Sequence, residues 1–178
     1  QADKEYLKAL RKKCDEVGAL LIFDELQSGI GRTGKMFAFQ HYNISPDILV
    51  IGKALGGGFP IGALICNKKL MDKFTHDPIL GHITTFGGHP VIAKAGYETI
   101  KYILNYNLQS KTIEKEELIR SILKHELIDE IRGKGLMIAL IMKTEKIANY
   151  VVKACLKRGL ILFFLLYEKK AIRITPPL

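Results

Sequence analysis

Two residues in this sequence stand where side chains can do chemistry. Lys53 follows the apolar run Ile48-Leu49-Val50-Ile51 and precedes the glycines Gly56-Gly57-Gly58. A short apolar run bounded by turn residues reads as a buried strand, so Lys53 falls where a parallel strand meets the open edge of its sheet. An ammonium group is costly to bury, and a lysine held there can lose its proton and act as a nucleophile, as a Schiff-base lysine does. The alternative is a strand-end lysine snorkelling into water. Asp24 closes a second apolar run, Ala19-Leu20-Leu21-Ile22-Phe23. A carboxylate at the carboxyl end of a buried strand lies where α/β sheets bind ligands; the alternatives are a helix cap or a buried ion pair.

An aspartate and a lysine at two strand ends can face one flat ligand. Pyridoxal phosphate uses that pair, a carboxylate at its ring nitrogen and a lysine amine at its aldehyde. The glycines between them offer two competing chemistries. Gly29-Ile30-Gly31-Arg32-Thr33-Gly34-Lys35 fits a dinucleotide fingerprint, but that motif turns directly from strand into helix, and Lys35-Met36-Phe37 opens no helix. It also fits a phosphate-binding loop, but Met36 stands where a hydroxyl must bind Mg²⁺. Both readings fail, and the glycines are expected to let the loop pass close to a ligand or another backbone.

The elements that must position these residues follow from periodicity. Apolar spacing predicts a helix over 2–17 stopped by Gly18, strands over 19–23 and 48–51, and a third strand over 63–66. The short connection to that third strand allows an antiparallel pairing. A helical turn or two is expected over 68–74, and Pro90 opens a helix running to about Asn105. A charged helix over 111–131, a strand over 136–142, a helix over 144–158 and strands over 160–166 and 171–175 complete the prediction. The fold class is α/β. The visible strands are too few to complete a parallel sheet, which predicts that the chain is part of a longer one.

Bulk properties exclude other classes. The 178 residues are 48% hydrophobic and 25% charged, as in ordinary globular proteins. The longest apolar run, 159–167, is too short to span a bilayer. The net charge of +9 raises nucleic acid as a partner, but the lysines are interleaved with acids on helical faces and no binding motif accompanies them. An anionic small ligand suits the surplus equally. Three cysteines, Cys14, Cys66 and Cys155, show no metal spacing and suit reduced thiols in a cytoplasmic setting. The five histidines form no ligand cluster.

Five blocks resemble class III aminotransferases, in family order across nearly the whole chain. They are Asp24 to Lys35; Pro46 to Ala63, including Lys53-Ala54-Leu55-Gly56-Gly57-Gly58; Thr84-Thr85-Phe86-Gly87-Gly88-His89-Pro90; Arg132 to Met137; and Ile172 to Leu178. The acetylornithine/ornithine branch is the nearest likeness. The resemblance implies a fold-type-I pyridoxal-phosphate enzyme. Residues 1–94 would form part of its large-domain, mostly parallel sheet, and 95–178 its small α/β domain, truncated at the end. It implies transfer of an amino group from an ω-amino donor to a 2-oxo acid such as 2-oxoglutarate, by a homodimer sharing its site. Asp24 would keep the ring nitrogen protonated, Gln27 would bond near the ring hydroxyl, and Lys53 would carry the cofactor and move the proton. Thr85, with Thr84 beside it, would bind the phosphate held in the neighbouring subunit, and Arg173 would grip the substrate carboxylate. Without the resemblance, Arg173 reads as an exposed strand arginine.

Thr84 and His89 replace the family's usual serine and asparagine. The phosphate loop, ring-stacking aromatic and acidic residue of the family's upstream half have no counterpart here. The isolated chain is therefore expected to be inactive. The rival reading is a non-catalytic fragment or diverged relative serving as a binding or assembly module.

Overall fold

The computed structural model describes residues 2–178, which divide into two compact units. The first comprises Ala2–Gly31 and Lys35–Asn107; the second comprises Arg32–Gly34 and Leu108–Leu178.

In the first unit, helix α1 spans Lys4–Val17. The Asp3 side chain caps it by accepting the Glu5 and Tyr6 N–H groups, and Gly18 ends it in the left-handed conformation at φ 70°. Three strands follow: β1 (Ile22–Asp24), β2 (Ile48–Gly52) and β3 (Gly62–Cys66). β1 and β2 pair in parallel and β2 and β3 antiparallel, in the order β1-β2-β3. The short link before β3 leaves no room for a crossover helix, so the ladder must reverse. β1 is shorter than the apolar run that encodes it, and it is not buried: Ile22 is 55% exposed. Its run of apolar residues reads as covered on both faces, and among the described residues β1 has a strand neighbour on one side only. Helix α2 (Lys68–Met71) continues as a 3₁₀ turn, and α3 spans Pro90–Asn105 with proline at its start.

One ionic clamp fixes the register of β1 against β2. The Asp47 carboxylate accepts the Leu21 N–H at 2.7 Å and an Arg11 Nη1–H at 2.8 Å, while the Asp47 N–H donates to the Leu21 carbonyl at 2.8 Å. Arg11, on α1, also pairs with Asp15 at 2.6 Å. The Leu21 N–H, and then the Arg11 guanidinium, hold the Asp47 carboxyl below the usual carboxylate range. A lowered value means the stabilisation is present above the ordinary carboxylate pKa and is lost as pH falls through the lowered one. Asp47→Ala is expected to cost about 2 kcal/mol at neutral pH. It should also flatten the acid side of the stability profile, read by urea unfolding between about pH 7 and pH 3. An unchanged acid limb would remove the clamp from the account.

In the second unit, α4 spans Leu108–Ile122 and is followed by β4 (Ile128–Lys134), β5 (Met137–Met142), α5 (Glu145–Leu156), β6 (Phe163–Phe164) and β7 (Ala171–Ile174). The sheet order is β4-β5-β7-β6, with every pairing antiparallel. Thr144 caps α5 by accepting the Ile147 N–H. Leu140, Met142, Ala148, Val152 and Ile172 form the buried cluster of this unit.

Two expectations are corrected here. The helix predicted over 111–131 ends at Ile122, and its last part is strand β4. A bulge between Ile128 and Glu130 explains the misreading, since it inserts one unpaired residue. Ile128 and Ile131 therefore lie opposite Met142 and Leu140, both in the core, at a spacing of three that imitates a helix. The strand predicted over 160–166 shrinks to two residues at the sheet edge, where Leu166 is 89% exposed and Tyr167 fully so. No described helix is long and apolar enough to cross a membrane, and no described cluster of His, Cys, Asp and Glu could hold a metal.

Candidate active site

β2 delivers Lys53. The strand alternation ends at Gly52, and Lys53 opens a 3₁₀ turn, Lys53–Gly56, with φ 44°. That left-handed conformation crowds any residue with a Cβ and costs on the order of 1 kcal/mol, so the surroundings must impose it. Gly52 lies under Leu26, whose Cδ2 is 2.6 Å from where a Cβ on Gly52 would stand, with the Ile61 carbonyl at 2.9 Å. At the far end of the turn, Gly57 is also left-handed, at φ 58°, and its empty Cβ position is filled by the Thr99 hydroxyl of α3. The turn after β1 on one side and helix α3 on the other thus pack against it. The lysine itself is exposed rather than buried, so its availability comes from backbone placement.

β1 delivers Asp24. The carboxylate is exposed, and its Oδ1 accepts the Leu26 N–H at 3.0 Å. Asp24 is the register partner of Val50, and Lys53 follows three residues later. The carboxylate and the amine therefore stand at the carboxyl edge of one parallel pair, the edge at which open α/β sheets bind ligands. Neither has an ion-pair partner among the described residues. An unpaired carboxylate and an unpaired amine at one sheet edge are the donor set that pyridoxal phosphate requires, so the residues present fit that cofactor. Gln27 is exposed inside the turn that the Gly29 N–H closes on the Glu25 carbonyl at 3.0 Å. Glu25, buried beside Asp24, escaped the sequence reading, because nothing in its type separates it from a solvated acid.

Thr84 and Thr85 lie in an exposed loop with Ile79, Ile83 and Phe86, the last 74% exposed. The Thr84 carbonyl accepts the Gly87 N–H at 3.2 Å, and the chain then enters α3. Thr84 borders a cavity of about 290 Å³ with Pro60, Ile61, Phe86 and His89. Thr85 does not line it. No hydrogen bond joins either threonine to Asp24, Gln27 or Lys53 among the described residues.

In the second unit, Arg173 is half-buried on β7. Its guanidinium stacks on the Phe163 ring at 4.9 Å, and its buried Nε has no hydrogen-bond partner. That overturns the exposed-arginine reading, because strand pairing sets Arg173 directly opposite Phe163. The Gly29–Lys35 loop is no phosphate cradle. Arg32 donates to the carbonyls of Pro176 and Leu136, the Leu136 N–H donates to the Arg32 carbonyl at 2.9 Å, and Thr33 is fully buried. Burial pushes the Arg32 guanidinium below its usual value.

The sequence pattern of the class III aminotransferases matches residues 1–178. The chain is 42% identical to the putrescine aminotransferase of Pectobacterium atrosepticum, over 98% of this chain and 39% of that protein. Among solved structures, an ornithine aminotransferase of Plasmodium yoelii superposes with a TM-score of 0.85 at 32% identity, covering 98% of this chain and 48% of that one. The acetylornithine aminotransferase of Elizabethkingia anophelis gives 0.87 at 33%, covering 98% and 45%. The chain therefore belongs to the class III aminotransferases, with their fold-type-I architecture, and pyridoxal phosphate is the cofactor of this family. It spans about two fifths to one half of the length of these relatives.

Proposed function

We propose that the full-length protein carrying this chain transfers an amino group from an ω-amino donor, such as a diamine or diamino acid, to a 2-oxo acid such as 2-oxoglutarate. One observation carries the reading: an unpaired carboxylate and a strained, unpaired lysine stand at the carboxyl edge of one parallel strand pair. The three relatives support the donor class, since putrescine, ornithine and acetylornithine all name them. When bound, pyridoxal phosphate supplies an electron sink for the substrate carbon. Asp24 would keep a proton on the ring nitrogen, and Gln27 would bond near the ring hydroxyl. Lys53 Nζ would hold the cofactor, take the proton from the donor carbon that bears the amine, pass it on to the cofactor, and in the second half of the reaction deliver a proton to the carbonyl carbon of the 2-oxo acid. Thr85, with Thr84, serves the phosphate held by a second copy, which makes the protein a homodimer. The exposed apolar loop around Phe86 suits such a contact. The three free cysteines suit a reducing, cytoplasmic setting.

Arg173 binds the carboxylate of the 2-oxo acid, because a guanidinium held over the Phe163 ring is a planar bidentate donor. The full-length protein is expected to turn over putrescine, ornithine or acetylornithine with 2-oxoglutarate, while the isolated chain stays inactive in the same assay. Arg173→Ala should raise the KM for 2-oxoglutarate about 100-fold, and Arg173→Lys should not restore it. Absence of turnover with all three donors, or an unaltered KM in Arg173→Ala, defeats the corresponding part of the reading.

A further inference from the structure

We propose that Glu25 is a positioning residue that fixes Asp24 and Gln27 in their working orientations, an inference that rests on the aminotransferase reading. Glu25 is only 3% exposed. Its Oε2 accepts the Ala38 N–H and its Oε1 the Phe39 N–H, each at 2.7 Å. These two donors open the 3₁₀ turn Ala38–His41, where N–H groups have no partner within the turn. Short bonds to a charged acceptor are the strong kind. No cation pairs with Glu25 among the described residues, so two backbone dipoles hold this buried charge in place.

Its main chain is committed as well. The Glu25 N–H donates to the Val50 carbonyl at 2.8 Å, carrying the β1–β2 ladder one residue past Asp24. Its carbonyl accepts the Gly29 N–H at 3.0 Å and closes a turn around Leu26, Gln27 and Ser28. The same turn brings the Leu26 N–H to Asp24 Oδ1 and the Leu26 side chain onto Gly52, next to Lys53. Packing tightens the arrangement, because a Cβ on Gly29 would stand 2.8 Å from the Glu25 carbonyl oxygen. Glu25 is thus tied at both carboxylate oxygens, its N–H and its C=O. Asp24 and Gln27, one before it and one two after, inherit that rigidity. An amide at this position offers one acceptor oxygen to two N–H groups and must turn its own N–H₂ toward the other.

The test compares full-length holoprotein with its Glu25→Gln, Glu25→Asp, Val152→Ala and Lys53→Ala variants. Cofactor affinity, the absorption maximum of bound cofactor, kcat at saturating cofactor, donor KM and thermal stability are read for each. Glu25→Gln is expected to weaken cofactor binding about tenfold and to lower kcat about tenfold with donor KM within about twofold. It should also displace the absorption maximum. Glu25→Asp keeps the charge but cannot span both N–H groups, and it should show the same pattern more weakly, which serves if the glutamine variant does not fold. Val152→Ala, in the core of the second unit, should lower stability and leave the other readings alone. If both Glu25 variants behave as Val152→Ala does, the positioning role is overturned. If Lys53→Ala leaves the bound cofactor unaltered, the aminotransferase reading itself falls; if Lys53→Ala abolishes the attachment while both Glu25 variants match wild type, only the Glu25 inference falls.

Discussion

Lys53→Ala in the full-length protein is expected to lower kcat by at least about 10³-fold and to remove the visible absorption of covalently held cofactor. Lys53→Gly should lose activity to the same degree but fold more stably than Lys53→Ala by about 1 kcal/mol. The two effects separate because they have different origins. In the role proposed for Lys53, activity depends on the amine, which both variants lack. Stability depends on φ 44° at this position, where alanine keeps the Cβ that crowds the left-handed backbone and glycine does not. Leu26 beneath Gly52 and Thr99 against Gly57 persist in both variants, so the turn cannot relax by moving as a whole. Turnover and absorption measured beside urea unfolding read the two effects together. Retained absorption in Lys53→Ala would end the role assigned to the lysine. Equal stability of the two variants would end the argument that the turn imposes strain.

That strain marks the boundary of what residue types can reveal. A lysine after an apolar run and before glycines is visible as a strand-end amine; its left-handed backbone is not, because contacts from Leu26 and Thr99 impose it. The pairing of Asp24 with Lys53 is half legible. Each closes an apolar run, but only the parallel register of β1 and β2, pinned at its start by Arg11 and Asp47, puts both at one edge. Ile22 is exposed here because β1 has a strand neighbour on one side only among the described residues, and a continuous apolar run says how a strand can be covered, not whether a neighbour is present. At Ile128 and Ile131 the error ran the other way: a bulge gave strand residues the spacing of a helix, and no glycine or proline after Ile122 announced the end of α4. Glu25 was hidden for a third reason. Its partners are backbone N–H groups thirteen and fourteen residues away, and such donors leave no trace in side-chain identity.

Asp24 gives the second large effect, and here the choice of substitution isolates charge from geometry. Asp24→Asn keeps an oxygen that can accept the Leu26 N–H, so the turn around Gln27 should survive and stability should stay within about 0.5 kcal/mol of wild type. The negative charge is lost, and with it, in the role proposed for Asp24, the means of keeping a proton on the ring nitrogen. Removing one preorganised electrostatic group typically costs about 10² to 10³ in kcat, and a fall of that size is expected for Asp24→Asn under saturating cofactor. Asp24→Ala should lose the same activity and, in addition, about 1 kcal/mol of stability with the Leu26 hydrogen bond. Steady-state kinetics and denaturant unfolding on the two variants decide the matter. Wild-type kcat in Asp24→Asn would show that the carboxylate charge does no chemistry there, leaving Asp24 as the cap of its own turn. A stability loss in Asp24→Asn equal to that in Asp24→Ala would show instead that charge, rather than the acceptor oxygen, holds the turn. An inactive yet fully stable Asp24→Asn is the outcome that the free carboxylate at the end of β1 predicts.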